Sequence, residues 1–292
     1  EDAKTRYVNF CKSTIPKSFH LKGLKIVLDC ANGATYHIAP PLFCDLGADL
    51  TVLGAKPNGL NINKHSGSTH LDTLQKIVLS EKADLGIAFD GDGDRVLMVD
   101  SLGEIVDGDE LLFLLAQRGI KTGHIQGGVV GTAMSNLGLE LALNELGLAF
   151  IRTSVGDRYV NEALQTKNWQ LGGEASGHII SRRVSKTGDG IIIALQVLEA
   201  IQSSGLSLHN AKKAMKKFPQ ILINIAAENP SAIVESPSIK KAILLAEKVL
   251  MDRGRVLLRP SGTEPVVRVM VEGNNLSEVK NIANQLAETV KL

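Results

Sequence analysis

The stretch ADLGIAFDGDGDRVLMVD, residues 83–100, joins a nearly all-apolar run to an acidic loop. The run 83–89 predicts a strand that is buried on both faces, as in a sheet covered by helices. Three aspartates then alternate with glycines, and the next apolar residues predict a hairpin over 95–106 with Gly103 at its turn. Since ligands of such folds collect at the carboxyl ends of the strands, this loop is the first candidate for a functional site.

The acidic loop predicts a bound cation, because carboxylates this close together repel one another. Asp90, Asp92 and Asp94 offer hard oxygen ligands that suit Mg²⁺ or Ca²⁺, and the glycines between them let the backbone curl. An EF-hand is excluded, since its sixth and twelfth positions need Gly and Glu and here are Arg95 and Ser101. We therefore predict Mg²⁺ held partly by a phosphate, which Arg95 also contacts. The alternative is a solvated acidic turn.

A second candidate loop is RPSGTEPVVR, residues 259–268, between two predicted strands. Hydroxyls, a flexible glycine and successive backbone N–H groups can form an anion-binding nest, and two arginines add charge-assisted hydrogen bonds. The predicted phosphate contacts are Arg259, Ser261, Gly262, Thr263 and Arg268. The alternative is a plain hairpin in which Pro-Ser-Gly only shapes the turn. The sequence contains neither G-x-x-x-x-G-K-[ST] nor G-x-G-x-x-G.

A third candidate loop is GGEASGH, residues 172–178. Glu174, Ser176 and His178 alternate there, so an extended segment would direct all three to one side. A carboxylate and a hydroxyl can bind neighbouring sugar hydroxyls, and a histidine can serve as general acid or base near neutral pH. A surface turn with a simply hydrogen-bonded histidine is the alternative.

The stretch VGDRYV, residues 155–160, adds Asp157 and Arg158 at a predicted helix start. Anions bind at such positions because the first backbone N–H groups of a helix lack intrahelical partners. Asp157 could equally be an ordinary helix cap, and Arg158 a solvated surface charge.

The order of apolar runs predicts an α/β protein: two consecutive α/β units with mixed, mostly parallel sheets, followed by a small C-terminal α+β domain. Pro40-Pro41 should kink or restart the first helix, and Asp189 should cap a long one. The predicted domains are 1–106, 107–216 and 217–292. Predicted strands cover 24–30, 48–54, 83–89, 127–134, 149–153, 169–174, 218–229, 254–260 and 266–273. Predicted helices cover 34–46, 70–82, 136–146, 157–167, 191–204, 239–252 and 276–291.

Composition excludes several classes of function. The net charge of +1 and an aromatic content of 4% give no support for nucleic-acid binding. No apolar stretch reaches the ~18 residues of a membrane span, and the polar start is unlike a signal peptide. Cys11, Cys30 and Cys44 lack the spacing of a zinc site, so we expect buried, reduced thiols in a cytoplasmic protein.

Taken together, the three loops resemble the α-D-phosphohexomutase family. DGDGDR resembles its Mg²⁺ loop, GEASGH its sugar loop and RPSGTEP its phosphate loop, in the family's order. Further similarity to the amino-sugar branch of this family lies in NGLNIN (58–63), VGTAMSNLGLE (130–140), VGDRYV, TGDG (187–190) and FPQILIN. The resemblance implies a sugar-phosphate substrate, glucosamine 6-phosphate and glucosamine 1-phosphate, interconverted through a bisphosphate.

The resemblance also implies roles for single residues. The three aspartates would hold Mg²⁺ against a serine phosphate whose charge Arg95 shares. Glu174 and Ser176 would bind the sugar hydroxyls, and the loop 259–268 would hold the phosphate that is not reacting. Arg158 and His178 would aid proton transfer or phosphate contact.

One departure concerns the phosphoryl donor. Members of the family carry four domains, and the first holds a phosphoserine in a Ser-His-Asn-Pro setting, a motif that this sequence lacks. Ser207-Leu208-His209-Asn210 does not match it and lies in a helical context. The chain thus resembles domains two to four, with the N-terminal phosphoserine domain as a missing partner, and is expected to be inactive alone. The sequence is compatible with a homodimer but does not show the oligomeric state.

Three alternatives stay open at this point. A sibling mutase would act on mannose or glucose phosphates. A metal-dependent sugar-phosphate phosphatase would need its own aspartyl nucleophile, for which Asp90 is a formal candidate. A third alternative is a noncatalytic module that binds sugar phosphates.

Overall fold

The computed structural model describes residues 2–261 and 264–291. Two compact units divide these residues. Unit 1 runs to Ser135 and resumes over Ala142–Met215, whereas unit 2 takes Asn136–Leu141 and the chain from Lys216 onward. The finer division into three domains at residues 106 and 216 stays a prediction.

Unit 1 contains a five-stranded sheet in the order β2-β1-β3-β4-β5. Its first three strands are parallel and β4 and β5 are antiparallel, so the sheet is mixed as the sequence predicts. The strands are β1 (Lys25–Asp29), β2 (Asp49–Leu53), β3 (Leu85–Phe89), β4 (Val96–Asp100) and β5 (Ile105–Val106). The α-helices between residues 3 and 121 are α1 (Ala3–Ser13), α2 (Ala39–Asp45), α3 (Asp72–Glu81) and α4 (Gly108–Lys121).

A second sheet of unit 1 has four strands in the order β7-β6-β8-β9, with only β9 antiparallel to its neighbour. Its strands are β6 (Gly128–Thr132), β7 (Ala149–Thr153), β8 (Leu171–Gly173) and β9 (Ile179–Ser181). The helices along this part of the chain are α5 (Leu137–Glu145), α6 (Asp157–Lys167), α7 (Gly190–Ser204) and α8 (Leu208–Lys212).

Unit 2 contains an antiparallel sheet in the order β10-β12-β11, packed against helices, as predicted for a small α+β domain. Its strands are β10 (Gln220–Ala226), β11 (Gly254–Pro260) and β12 (Val266–Gly273). Its helices are α9 (Pro230–Glu235), α10 (Pro237–Leu250) and α11 (Leu276–Lys291).

The central strand β3 is buried over its whole length, as its all-apolar sequence predicts. Leu74 and Val78, one turn apart on α3, pack in a core cluster beside it. Gly86 on β3 allows this close packing, since a Cβ there would lie 2.8 Å from the Leu74 Cδ1 atom. The strand thereby fixes the start of the aspartate loop at its carboxyl end.

The helix predicted over 34–46 restarts at Pro40-Pro41, as expected: Ala34–His37 is a 3₁₀ turn, and α2 has Pro40 and Pro41 in its first turn. Several other elements differ from the sequence predictions. Helices α1, α4 and α9 were not predicted. In α4 the run LLFLLA is buried throughout, so it shows no amphipathic period. Cys44 is exposed, which contradicts the expectation of three buried thiols, because it lies on the outer face of the short α2.

Within the described ranges, no helix is both long enough and apolar enough to cross a membrane.

Truncating the packed face of α3 should destabilise unit 1. We expect Leu74→Ala, at a fully buried position, to lower the free energy of unfolding by about 3 kcal/mol through lost burial and the cavity left behind. The matched change Leu79→Ala, on the same helix at a position 52% exposed, should cost less than about 1 kcal/mol. Urea unfolding of both variants measures the difference, and equal losses would contradict this account of the core.

Candidate metal and phosphate sites

The aspartate loop, Asp90–Arg95, follows β3 directly and curls around its first carboxylate. The Oδ1 atom of Asp90 accepts hydrogen bonds from the backbone N–H groups of Gly93 and Arg95, each at 3.1 Å. Gly93 has φ +80°, a left-handed conformation that side chains disfavour. As a result Asp90, Asp92 and Asp94 each offer a carboxylate oxygen within 4.8 Å of the others. The predicted convergence of the three aspartates is therefore present.

The charges of this loop are poorly compensated by the protein. Burial above all, together with the neighbouring Asp92 and Asp94, raises the pKa of Asp90 to about 7, although the hydrogen bond from the Arg95 backbone lowers it. The Oδ1 atom of Asp94 is buried and accepts no hydrogen bond from any described residue. Arg95 lies nearby but beyond hydrogen-bond distance, with its Nε atom 3.8 Å from Asp94 and 3.9 Å from Asp90. A divalent cation would satisfy these oxygens, so the residues fit a metal site.

His178 lies against the aspartate loop, a contact that the sequence did not reveal. Its Nδ1 atom is 3.0 Å from Asp94 Oδ2, and its backbone forms a β-bridge with Arg95. The ring is almost fully buried, and its Nε2 atom is 3.9 Å from Asp157 Oδ2. Histidine and carboxylate thus hold one another's orientation, which is the usual arrangement around metal ligands.

The sugar loop differs from the expected extended segment. Residues 174–177 form a turn, closed by a hydrogen bond of 3.0 Å from the Gly177 N–H to the Glu174 carbonyl. The extended conformation that would direct Glu174, Ser176 and His178 to one side is therefore not present, and the segment is the turn named as the alternative. The Glu174 carboxylate accepts from the Gly156 N–H at 3.0 Å, whereas Ser176 is exposed.

The segment after β7 places Asp157 and Arg158 in the first turn of α6, as predicted, with both side chains exposed. Gly156 is the N-cap residue and provides no side-chain hydrogen bond. The alternative interpretation of Asp157 as an ordinary cap is therefore wrong, since Asp157 is the first residue inside the helix.

The hairpin of β11 and β12 brings two like charges together. Arg259 and Arg268 face one another in the register of the two strands. Burial lowers the pKa of Arg259, and the charge of Arg268 lowers it further. Arg268 also donates to Glu264 at 3.0 Å and to the Ser261 Oγ atom at 3.3 Å.

Two donors of the same hairpin lack an acceptor among the described residues. The Nε atoms of Arg259 and Arg268 are buried and donate to no described group. An anion would relieve both the repulsion and the missing acceptors, as predicted for a phosphate. Two of the predicted contacts, Gly262 and Thr263, lie outside the described residues.

Sequence reasoning named residues 187–190, which we call the TGDG strap, but did not reveal their contact with the site. The strap lies against the aspartate loop, where the Gly190 N–H donates to the Gly93 carbonyl at 2.8 Å. The available signal was the pair of glycines around Asp189, which permits a close approach of two backbones.

A second group of possible metal ligands in the described residues is Asp100, Glu104 and His209. Here the protein supplies its own cation, because the Lys212 Nζ atom is 2.8 Å from a carboxylate oxygen of both Asp100 and Glu104. Burial would raise the pKa of Asp100, yet hydrogen bonds from Lys212, His209 and the backbone of Glu104 lower it below its usual value. This group is an internal ion-pair network. Ser207, from the excluded Ser-Leu-His-Asn segment, caps α8 as the helical context predicted.

Models of one protein family match nearly the whole chain. They are described as phosphoglucomutase/phosphomannomutase, with alpha/beta/alpha domain II at residues 5–103, alpha/beta/alpha domain III at residues 107–218 and the C-terminal domain at residues 222–289. The chain belongs to this phosphohexomutase family.

Relatives within the family carry a more particular name. A phosphoglucosamine mutase of Pseudomonas aeruginosa (strain LESB58) is 58% identical over 289 residues, which is 99% of this chain and 65% of the relative. Phosphoglucosamine mutase 2 of Shewanella sp. (strain MR-7) is 55% identical over 294 residues, 100% of this chain and 65% of the relative. The chain thus spans about 65% of the length of these curated relatives.

Solved structures confirm the fold. The N-acetylphosphoglucosamine mutase of Aspergillus fumigatus, in complex with GlcNAc-6P and magnesium, matches 99% of this chain and 70% of its own at a TM-score of 0.82 and 22% identity. A phosphoglucomutase/phosphomannomutase family protein of Burkholderia thailandensis matches 99% of this chain and 64% of its own at a TM-score of 0.81 and 23% identity.

Removing the internal cation of the second acidic group should destabilise unit 1. We expect Lys212→Met to lower the free energy of unfolding by about 2–3 kcal/mol at pH 7, since it leaves the buried Asp100 charge short of a partner. The exposed neighbour gives a matched control, Lys213→Met, with a change below about 0.5 kcal/mol.

The pH dependence of this loss follows from the lowered pKa of Asp100. Its contribution to stability is present above the unfolded pKa of about 3.9 and disappears as the pH falls through the lower folded value. The difference between wild type and Lys212→Met in chemical denaturation should therefore shrink in acid. A difference that grew on acidification would contradict the network described here.

Proposed function

We propose that this chain is the metal-, sugar- and phosphate-binding part of a phosphoglucosamine mutase, which interconverts glucosamine 6-phosphate and glucosamine 1-phosphate. The observation that carries the proposal is the uncompensated cluster of three aspartates at the end of a buried strand. The relatives named phosphoglucosamine mutase, at 55–58% identity over essentially the whole chain, support the choice of substrate.

Phosphoryl transfer needs positioning and neutralisation of charge more than covalent chemistry. Asp90, Asp92 and Asp94 would hold Mg²⁺, the ion named with the related Aspergillus fumigatus structure. When bound, the ion would supply electrostatic stabilisation of the phosphoryl oxygens. Arg95 would place a further positive charge beside the same phosphate.

The remaining candidate residues would bind the rest of the substrate. Glu174 and Ser176 would bind sugar hydroxyls, and the hairpin arginines would hold the phosphate that is not reacting. His178 would move a proton or orient Asp94, and Arg158 would contact phosphate from the start of α6. These roles use separate loops, which we assign to three domains over residues 1–106, 107–216 and 217–292.

The phosphoryl donor completes the proposal. The relatives are longer than this chain, and we propose that a phosphoserine outside residues 1–292 transfers its phosphoryl group to the sugar phosphate. The sugar bisphosphate then returns its other phosphoryl group to the serine, so that atoms and charge balance over one cycle. The 292-residue chain alone would bind sugar phosphate without mutase turnover.

Removing one ligand of the aspartate loop should abolish metal binding and leave the fold intact. Asp92 is exposed, so Asp92→Asn removes a charge without disturbing the core. We expect Mn²⁺ affinity, measured by the EPR signal of free Mn²⁺, to fall at least about tenfold. Asp72→Asn, an exposed aspartate in the first turn of α3, is the control and should bind like wild type. Equal affinity of Asp92→Asn and wild type would refute the metal assignment.

Turnover should distinguish the substrate classes. We expect a longer protein that carries these residues with its serine domain to convert glucosamine 6-phosphate at least about tenfold faster, in kcat/KM, than mannose or glucose phosphate. The coupled assay should be run in parallel on the 292-residue chain, where no conversion is expected. Preference for mannose or glucose phosphate would indicate a sibling mutase, and release of inorganic phosphate by the short chain would indicate a phosphatase.

A further inference from the structure

The TGDG strap packs against the backbone of the aspartate loop so closely that a side chain on either of its glycines would clash. Besides the hydrogen bond of 2.8 Å from Gly190 to Gly93, a Cβ at position 190 would lie 2.6 Å from the Arg95 carbonyl oxygen. A Cβ at Gly188 would lie 2.8 Å from the Asp94 carbonyl oxygen. The position of the strap therefore sets where the backbone of the last three loop residues lies.

Asp189 anchors this strap at the start of α7. Its Oδ1 atom accepts from the Ile192 N–H at 3.0 Å, which caps the helix. Its two carboxylate oxygens also accept from the Tyr7 hydroxyl, at 2.9 and 2.8 Å. Burial raises the pKa of Asp189, whereas the hydrogen bonds from Ile192 and Tyr7 lower it. Tyr7 thus stabilises the charged form of a carboxylate that is partly removed from water.

Tyr7 is suited to act as a fixed neutral donor. Its hydroxyl pKa is raised by burial and by the charge of Asp189, so it keeps its proton throughout the physiological range. Cys11, one turn further along α1, is buried, and burial raises the pKa of its thiol to about 12.

We propose that Tyr7 and Asp189 are positioning residues for the aspartate loop. Tyr7 fixes Asp189, Asp189 fixes the TGDG strap, and the strap fixes the loop that carries Asp92 and Asp94. This inference rests on the proposed function, because it assumes that the loop binds a divalent cation. Metal ligands depend on such outer groups for their orientation, and loss of an outer group lowers affinity without removing a ligand.

A Mn²⁺ titration of the 292-residue chain tests whether this series of contacts positions the metal ligands. We expect Tyr7→Phe and Asp189→Asn each to weaken Mn²⁺ binding about fivefold to tenfold, at or below the lower end of the effects known for outer groups. The double variant should lose no more than the stronger single variant, because both changes break one chain of contacts. Tyr36→Phe removes a hydroxyl from a ring that is 39% exposed and should leave affinity unchanged.

Comparing Mn²⁺ affinity with thermal stability shows whether Tyr7 positions the loop or only stabilises the fold. A structural role would lower the thermal unfolding midpoint of Tyr7→Phe but leave its Mn²⁺ affinity, measured well below that midpoint, as in wild type, and that result would overturn the proposal. Losses that multiply in the double variant would also overturn it, since they would show independent effects.

The same titration distinguishes a failure of the proposed function from a failure of the positioning role alone. If wild type bound no Mn²⁺, the metal assignment and this inference would fall together, whereas wild-type binding with an unaffected Tyr7→Phe would remove this inference alone. Should Tyr7→Phe fail to fold, Asp189→Asn keeps an acceptor for Ile192 and decides the question by the same titration.

Discussion

The organising constraint of the described structure is repulsion between like charges that the fold forces together. Asp90, Asp92 and Asp94 are held with their oxygens within 4.8 Å at the end of β3. Folding a chain into such an arrangement costs free energy unless an opposite charge joins it, and the raised pKa of Asp90 expresses that cost. The hairpin of unit 2 shows the same situation with opposite sign, since Arg259 and Arg268 face one another across two strands. Strain of this kind is retained where a ligand relieves it.

The elements around the aspartate loop explain how the fold keeps the three carboxylates together in spite of their repulsion. Strand β3 is buried on both faces, so it cannot shift to let the carboxylates separate. Backbone N–H groups of the loop donate hydrogen bonds to Asp90, and His178 and the TGDG strap pack against the other end of the loop. The contact of the strap is a close approach of two backbones, which Gly190 permits. The loop is therefore held in shape by its surroundings before any ligand arrives, which is the requirement for a precise site.

Much of this could be predicted from the sequence because the signals are local. Alternating charge and glycine after an apolar run identified the aspartate loop, and the order of apolar runs gave the mixed sheets and the α+β unit. What escaped prediction depends on distant pairs of residues. Tyr7 reaches an aspartate 182 positions away, and His178 reaches Asp94 across 84 positions. The turn at Glu174–Gly177 was one of two open alternatives, because a regular alternation of residue types says nothing about direction once the backbone leaves the extended conformation.

The two acidic groups of unit 1 show why residue types alone do not define a metal site. Asp100, Glu104 and His209 have carboxylate and imidazole ligands at distances that a metal ion would accept. Lys212 already fills the position between the carboxylates, and its ammonium keeps the pKa of Asp100 low in spite of burial. At the aspartate loop the corresponding pKa is raised, and Arg95 stays at 3.8–3.9 Å, too far for a hydrogen bond. The difference between the two groups is therefore geometric: a lysine ammonium lies within hydrogen-bond distance of the carboxylates in one, and the arginine stays beyond that distance in the other.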